Sequence, residues 1–259
     1  MPQLPPKICQ AKEYFFGSSV VLGSARCAEA LGQSGYDFVM IDTQHGNFAK
    51  PEAADAVRAV LLAGSVPLVR VADNQPGLIN DALDGGAQGV IVPMINSAAE
   101  AARVVAAALY PPRGARSKGA GPTLLYGADY AARANQSLAV TVMIETPEAV
   151  AAADEIFAVP GVDMCLVGTS DLSFCMGCAK EGPEITAALA AVAAAGKRHG
   201  VAVGAAVHTP QGISRWLPLG VRFFLTPQDQ SLLLAAAKST AQAMTGAMAE
   251  AVAAARDGH

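Results

Sequence analysis

Short runs of consecutive apolar residues recur along the chain, and most are followed by a stretch with helical spacing. Strands are predicted at residues 20–22, 37–41, 67–71, 89–93, 140–144, 164–167, 202–207 and 223–225. Runs without polar alternation mean strands covered on both faces, as in a parallel sheet. Helices are predicted over 25–33, 51–63, 77–84, 98–109, 149–157, 185–199 and 230–255. Thr146 and Pro147 mark one helix start, a side-chain cap followed by a residue whose missing N–H costs nothing in the first turn. Eight strands separated by helices favour an α/β architecture, a closed (β/α)8 TIM barrel, over an open sheet. The 259-residue length suits one such barrel, spanning 1–259 as a single domain. No GxGxxG follows an early strand, which removes the dinucleotide-binding alternative.

Two segments fall outside this rhythm. YPPRGARSKGAGPTLLY (110–126) is long, rich in Pro, Gly and Arg, and is expected to hang over the active-site face. The Ala-rich helix 230–255 carries more apolar surface than a barrel needs. It either packs on another subunit or closes its own barrel.

In a parallel barrel the residues just past the strands converge at the carboxyl edge. Glu145 and Asp171 lie there in one βα-sized unit, VMIETPEAVAAADEIFAVPGVDMCLVGTSDLSFCMG (142–177). Two carboxylates with few bases nearby suit a hard divalent cation such as Mg²⁺ or Mn²⁺; each could instead cap a helix. His45, in Asp42-Thr43-Gln44-His45-Gly46, reads as a general acid/base, a metal ligand or an exposed loop histidine. Asp42 is placed to orient it. Arg70 ends an apolar run and must meet an anion, either a structural carboxylate or a bound substrate. Gly168, Thr169 and Ser170 form a turn whose N–H groups suit a carboxylate. None of the seven lysines lies in a predicted strand, and only Lys118 is expected to reach over the site. A metal is therefore the better electron sink than a Schiff base.

Composition narrows the partners. The net charge is −4 with no basic run, which argues against nucleic acid and anionic membranes. MPQLPPKICQ lacks the apolar core of a signal peptide, so an intracellular, cytoplasmic protein is expected. Five cysteines do not form a disulfide framework, and Cys175-Met-Gly-Cys178 has no second CxxC and no nearby His to complete a zinc site.

YDFVMIDTQHG (36–46), PLVRV (67–71), LDGGAQGVIVPMI (83–95), YPPRGARSKG (110–119), MIETPEAV (143–150) and VPGVDMCLVGTSDLSFCMG (159–177) resemble, in this order, the HpcH/HpaI aldolases, class II 2-oxo-acid aldolases of the phosphoenolpyruvate/pyruvate barrel superfamily. The resemblance implies a divalent metal (Mg, Mn or Co) and reversible cleavage of a 4-hydroxy-2-oxo acid to pyruvate and an aldehyde. It implies Glu145 and Asp171 as metal ligands, Arg70 on the pyruvate oxygen, and His45 as the catalytic histidine with Asp42 beside it. It also implies Gln44 at the substrate, Asp84 reaching into the adjacent subunit's site, and a homo-oligomer, hexamer or trimer, with an exchanged C-terminal helix. Three departures bear on the substrate. Gly168-Thr169-Ser170-Asp171-Leu172 replaces a Gly-Pro-Ala/Asn-Asp-Leu pattern, His208 replaces an apolar residue after strand seven, and Gly121-Pro122-Thr123-Leu124-Leu125-Tyr126 follows the glycine-rich loop. The rival readings are a CoA-thioester lyase or decarboxylase of the same superfamily, with Arg113, Arg116 and Lys118 as its basic surface, and a catalytically silent ligand-binding barrel.

Overall fold

The computed structural model describes residues 4–257. Eight parallel strands close into a barrel in sequence order: β1 Phe15–Val20, β2 Phe38–Asp42, β3 Val66–Arg70, β4 Gly89–Val92, β5 Ala139–Ile144, β6 Met164–Val167, β7 Ala202–Ala206 and β8 Phe223–Leu225. β8 pairs back onto β1, Phe15 opposite Phe223, so no strand edge is left open. Seven strands lie within a residue or so of their predicted positions. β1 does not: it runs through Phe-Phe-Gly-Ser-Ser-Val, ahead of the expected 20–22. Ser18 and Ser19 are buried in it, and Ser18 Oγ donates to Pro227 O at 2.7 Å. Two buried polar residues, one on each face of the strand, hid it from an apolar-run criterion.

Two apolar layers hold the barrel. Alternate residues point outward to the helices, as Val39, Ile41, Val69, Val140 and Val203 do. The intervening ones fill the interior: Phe38, Met40, Leu68, Ile91, Met143, Met164 and Leu166. Each large side chain contributes roughly 1.5–3 kcal/mol by leaving water. Phe15 stacks on Phe223 at 5.2 Å, and both meet the edge of Phe38. Gly17 and Gly204 make room for these rings; a Cβ at either would come within 2.6 Å of Phe38 or Phe223. Below them Ile8 joins the interior cluster and Lys7 pairs with Asp163 at 2.7 Å, plugging the amino end.

The barrel is thus packed shut at the amino end and polar at the carboxyl end. Segment 110–126 lies on the amino side, not over the active-site face. It follows the helix Ala98–Ala108 rather than β4 itself, and that helix carries the chain back across the barrel. It includes a short helix, Gly121–Tyr126, and a further helix, Tyr130–Ser137, follows. The predicted helix 149–157 is two pieces, Pro147–Ala151 and Ala153–Phe157. The last helix, Asp229–Asp257, is 29 residues, about 44 Å long. It is anchored where Asp229 accepts the N–H groups of Val21 and Leu22. Farther along it exposes Leu233, Leu234, Met244, Met248 and Val252. Among the described residues, no helix is long and apolar enough to cross a membrane.

Candidate active site

β2 and β3 end level with each other, Asp42 opposite Arg70. This register sets a buried carboxylate beside a guanidinium. Arg70 donates from Nε to Asp42 Oδ1 at 3.0 Å and from Nη2 to Oδ2 at 2.5 Å, a two-point fork that fixes the guanidinium plane. The same Oδ1 accepts the backbone N–H groups of Gln44 (3.0 Å) and His45 (3.1 Å). Asp42 therefore holds the main chain of the His45 turn, not the imidazole ring, which is a correction to its expected role. Both anions weighed for Arg70 stay relevant. Asp42 takes one edge of its fork, yet Arg70 also lines a cavity at the carboxyl end. Among the described residues its Nη1 has no protein partner.

Glu145 directly follows β5, and Asp171 lies in the first turn of the helix Thr169–Met176 after β6. Both line the cavity with Arg70, Gly168, Thr169 and Ser170. Glu145 is buried and accepts the N–H of Met94 at 2.9 Å. Burial pushes its carboxyl up from the usual range. The Met94 N–H and the Arg70 charge oppose that push, and the facing Asp171 carboxylate adds to it. Met94 holds a left-handed backbone, φ 55°, uncommon outside glycine and frequent at functional sites. No sequence signal marks it. Gly168 approaches Glu145 closely: a Cβ there would lie 2.5 Å from Oε1. Thr169 Oγ1 and Gln44 Oε1 are buried without a partner, as polar atoms waiting for a ligand or water are.

His45 is exposed at the end of its turn. His208 follows β7 at the same end and lies 3.0 Å from Lys180 Nζ. Lys180, not Lys118, is the lysine near the mouth; Lys118 lies in the segment on the amino side.

A family model described as HpcH/HpaI aldolase/citrate lyase matches residues 18–223. The chain belongs to the HpcH/HpaI aldolase/citrate lyase family. A hydroxypyruvate/pyruvate aldolase of Rhizorhabdus wittichii is 40% identical over 82% of this chain and 86% of its own length. A 4-hydroxy-2-oxo-heptane-1,7-dioate aldolase of Escherichia coli is 36% identical over 89% and 90%. A solved HpcH/HpaI aldolase/citrate lyase family protein of Burkholderia cenocepacia superposes with a TM-score of 0.84, at 34% identity over 90% of this chain and 95% of that one. The protein is an aldolase of this family, a carbon–carbon lyase.

HpcH/HpaI aldolases generally depend on a divalent metal. The donor set here fits one. Glu145 and Asp171 are hard oxygen donors that crowd each other without a cation, and Gly168 leaves space at Glu145 Oε1. No group of three or more His, Cys, Asp or Glu is gathered among the described residues.

Asp84 is not with this group. It ends the helix Pro76–Asp84 on the amino side and pairs with Arg116 at 2.7 Å. Arg116 is itself buried, bonded to Tyr130 Oη at 3.1 Å and placed over the Tyr110 ring at 4.7 Å. It is therefore no phosphate-binding surface residue. Arg113 likewise donates to Asn135 O at 3.2 Å.

Proposed function

We propose that the protein reversibly cleaves a 4-hydroxy-2-oxo acid to pyruvate, or a close 2-oxo acid, and an aldehyde, using Mg²⁺, Mn²⁺ or Co²⁺ held by Glu145 and Asp171. The observation that carries this reading is the facing pair of carboxylates with Arg70 lining the same cavity. A divalent cation held by Glu145 and Asp171 would supply Lewis-acid charge at the reacting end of the substrate. Arg70 donates to the 2-oxo oxygen as negative charge develops on it, when the C3–C4 bond breaks. Thr169 and Ser170 present first-turn N–H groups to the C1 carboxylate, across Gly168. Gln44 adds a polar contact to the bound acid. His45 takes the proton of the 4-hydroxyl, whose carbon leaves as the aldehyde, and the proton returns to C3 to give pyruvate. A CoA lyase is disfavoured because Arg113 and Arg116 are already engaged within the chain. The test is pyruvate release from a panel of 4-hydroxy-2-oxo acids; no release from any member sinks the reading.

The active unit is a cytoplasmic homo-oligomer, a hexamer or trimer of single-domain barrels that exchange their C-terminal helices. The apolar residues exposed along Asp229–Asp257 support that exchange. Asp84 then reaches an adjacent subunit's site and pairs with its His45. Arg116 takes only Oδ1 of Asp84, and the carboxylate is partly exposed. His45→Ala and Asp84→Asn proteins should each be nearly inactive. Dissociated and reassociated together, they should regain a minority of intact sites. If mass spectrometry shows subunit exchange and the mixture stays inactive, the shared site is wrong.

A further inference from the structure

The helix Pro76–Asp84 ends on a carboxylate. The carboxyl end of a helix carries partial negative charge, so an aspartate there is unfavourable without a cation. Arg116 supplies the cation. Its Nη2 donates to Asp84 Oδ1 at 2.7 Å, and its side chain is wholly buried while that of Asp84 stays 36% exposed. The chain just after Arg116 wraps the same carboxylate. A Cβ on Gly119 would come within 2.4 Å of Asp84 Oδ2, and one on Gly121 within 2.5 Å of Asp84 O. Among the described residues, Oδ2 accepts no hydrogen bond.

Arg116 is itself held from several sides. Its Nη1 donates to Tyr130 Oη at 3.1 Å, and the guanidinium lies over the rings of Tyr110 at 4.7 Å and Tyr130 at 5.7 Å. Tyr126 stacks on Tyr130 at 5.6 Å and donates its hydroxyl to Gly86 O at 2.7 Å. Burying a guanidinium is costly, the more so here because Arg116 Nε is buried without a partner. Joining this segment to the helix does not require it. Tyr126 already makes that link, and the backbone N–H groups of Ala115 and Arg116 are bonded to Ala106 O and Leu109 O. What the buried cation adds is a fixed direction for one partly exposed carboxylate.

We infer that Arg116 is a positioning residue for the reaction in the adjacent subunit, fixing the Asp84 carboxylate in the orientation that meets the partner subunit's His45. This rests on the shared-site reading above, in which Asp84 crosses to a neighbouring barrel. Arg116 touches neither substrate nor metal. It offsets the negative helix end, holds Oδ1, and leaves Oδ2 to accept the imidazole N–H. A carboxylate fixed in advance needs no ordering when the neighbouring barrel docks, whereas a freely rotating one does. The imidazole so held turns its other nitrogen to the 4-hydroxyl. Arg116→Lys would keep the charge but not the fork that bonds Tyr130 Oη and Asp84 Oδ1 in one plane.

The experiment asks which chain's site Arg116 serves. In the metal-loaded protein, Arg116→Met should lower kcat for pyruvate release by roughly ten- to a hundredfold, the range of one hydrogen bond to a charged group. KM and Mn²⁺ affinity should stay unchanged, because Arg116 is not among the residues lining the cavity of Glu145 and Asp171. Arg116→Lys should lose less, and adding Arg116→Met to Asp84→Asn should cost little more than Asp84→Asn alone. Subunit mixing then separates a role across the interface from a role within the chain. Arg116→Met reassociated with His45→Ala should regain activity, since some sites then combine an intact His45 with an intact Arg116–Asp84 pair. Arg116→Met reassociated with Asp84→Asn should regain none. If Arg116→Met does not assemble, Arg116→Lys carries the same mixing test. Native turnover in Arg116→Met, or the opposite mixing pattern, overturns the inference and leaves the shared site standing. If His45→Ala and Asp84→Asn do not complement each other although their subunits exchange, the shared-site reading falls and the inference falls with it.

Discussion

Glu145→Gln should lower kcat/KM for pyruvate release by on the order of 10³-fold or more, since metal charge at the reacting oxygens is worth several kcal/mol. Glutamine keeps the shape and can still accept the Met94 N–H at its amide oxygen, which Glu145 now accepts at 2.9 Å. What it loses is the charge that faces the cation site. Loss of Mn²⁺ affinity, read by titration calorimetry, should accompany the loss of turnover. The metal-free variant should also melt higher than metal-free native protein. Glu145 is a buried carboxylate crowded by Asp171, and a neutral amide relieves that crowding, at about 2–4 °C for each kcal/mol regained in a chain of this size class. A variant that keeps its turnover would show that Glu145 is not a ligand. One that loses turnover but melts lower, with native Mn²⁺ affinity, would make it a structural group.

Arg70→Lys is expected to cost on the order of 10²-fold or more in turnover, although the charge is kept. Arg70 spends Nε and Nη2 on Asp42 and lines the cavity at the same time. A lysine ammonium cannot do both in one plane. Asp42 would also lose its two-point partner while still holding the Gln44 and His45 N–H groups, so the His45 turn should loosen. The loss should fall mainly on kcat, because the oxygen that Arg70 serves gains its charge only as the C3–C4 bond breaks. Near-normal kinetics in this variant would reduce Arg70 to a structural ion pair with Asp42.

Seven strands could be read from the sequence because their residues are covered on both faces and so are continuously apolar. β1 could not, since Ser18 and Ser19 occupy buried positions on its two faces that such a criterion reserves for apolar side chains. Glu145, Asp171, Arg70 and His45 were legible for a related reason: parallel strands deliver whatever follows them to one edge. The connections among them were not. The Arg70–Asp42 fork depends on the register of β2 against β3. The Lys180–His208 contact joins residues 28 apart through two different βα units. The face of segment 110–126 is not legible from its place after β4, because the helix Ala98–Ala108 intervenes and reverses the chain's direction. The same reversal brings Arg116 to Asp84 on the amino side of the barrel, a pair that spacing alone does not reveal.

The most direct test of the central claim is pyruvate release from a cleavable 4-hydroxy-2-oxo acid after exhaustive chelation, with borohydride and pyruvate added to a parallel sample for mass analysis. Activity should vanish on chelation and return with Mg²⁺, Mn²⁺ or Co²⁺, and the protein mass should stay unchanged. Activity that survives chelation, together with a reduced pyruvate adduct on a lysine, would contradict the metal-dependent account.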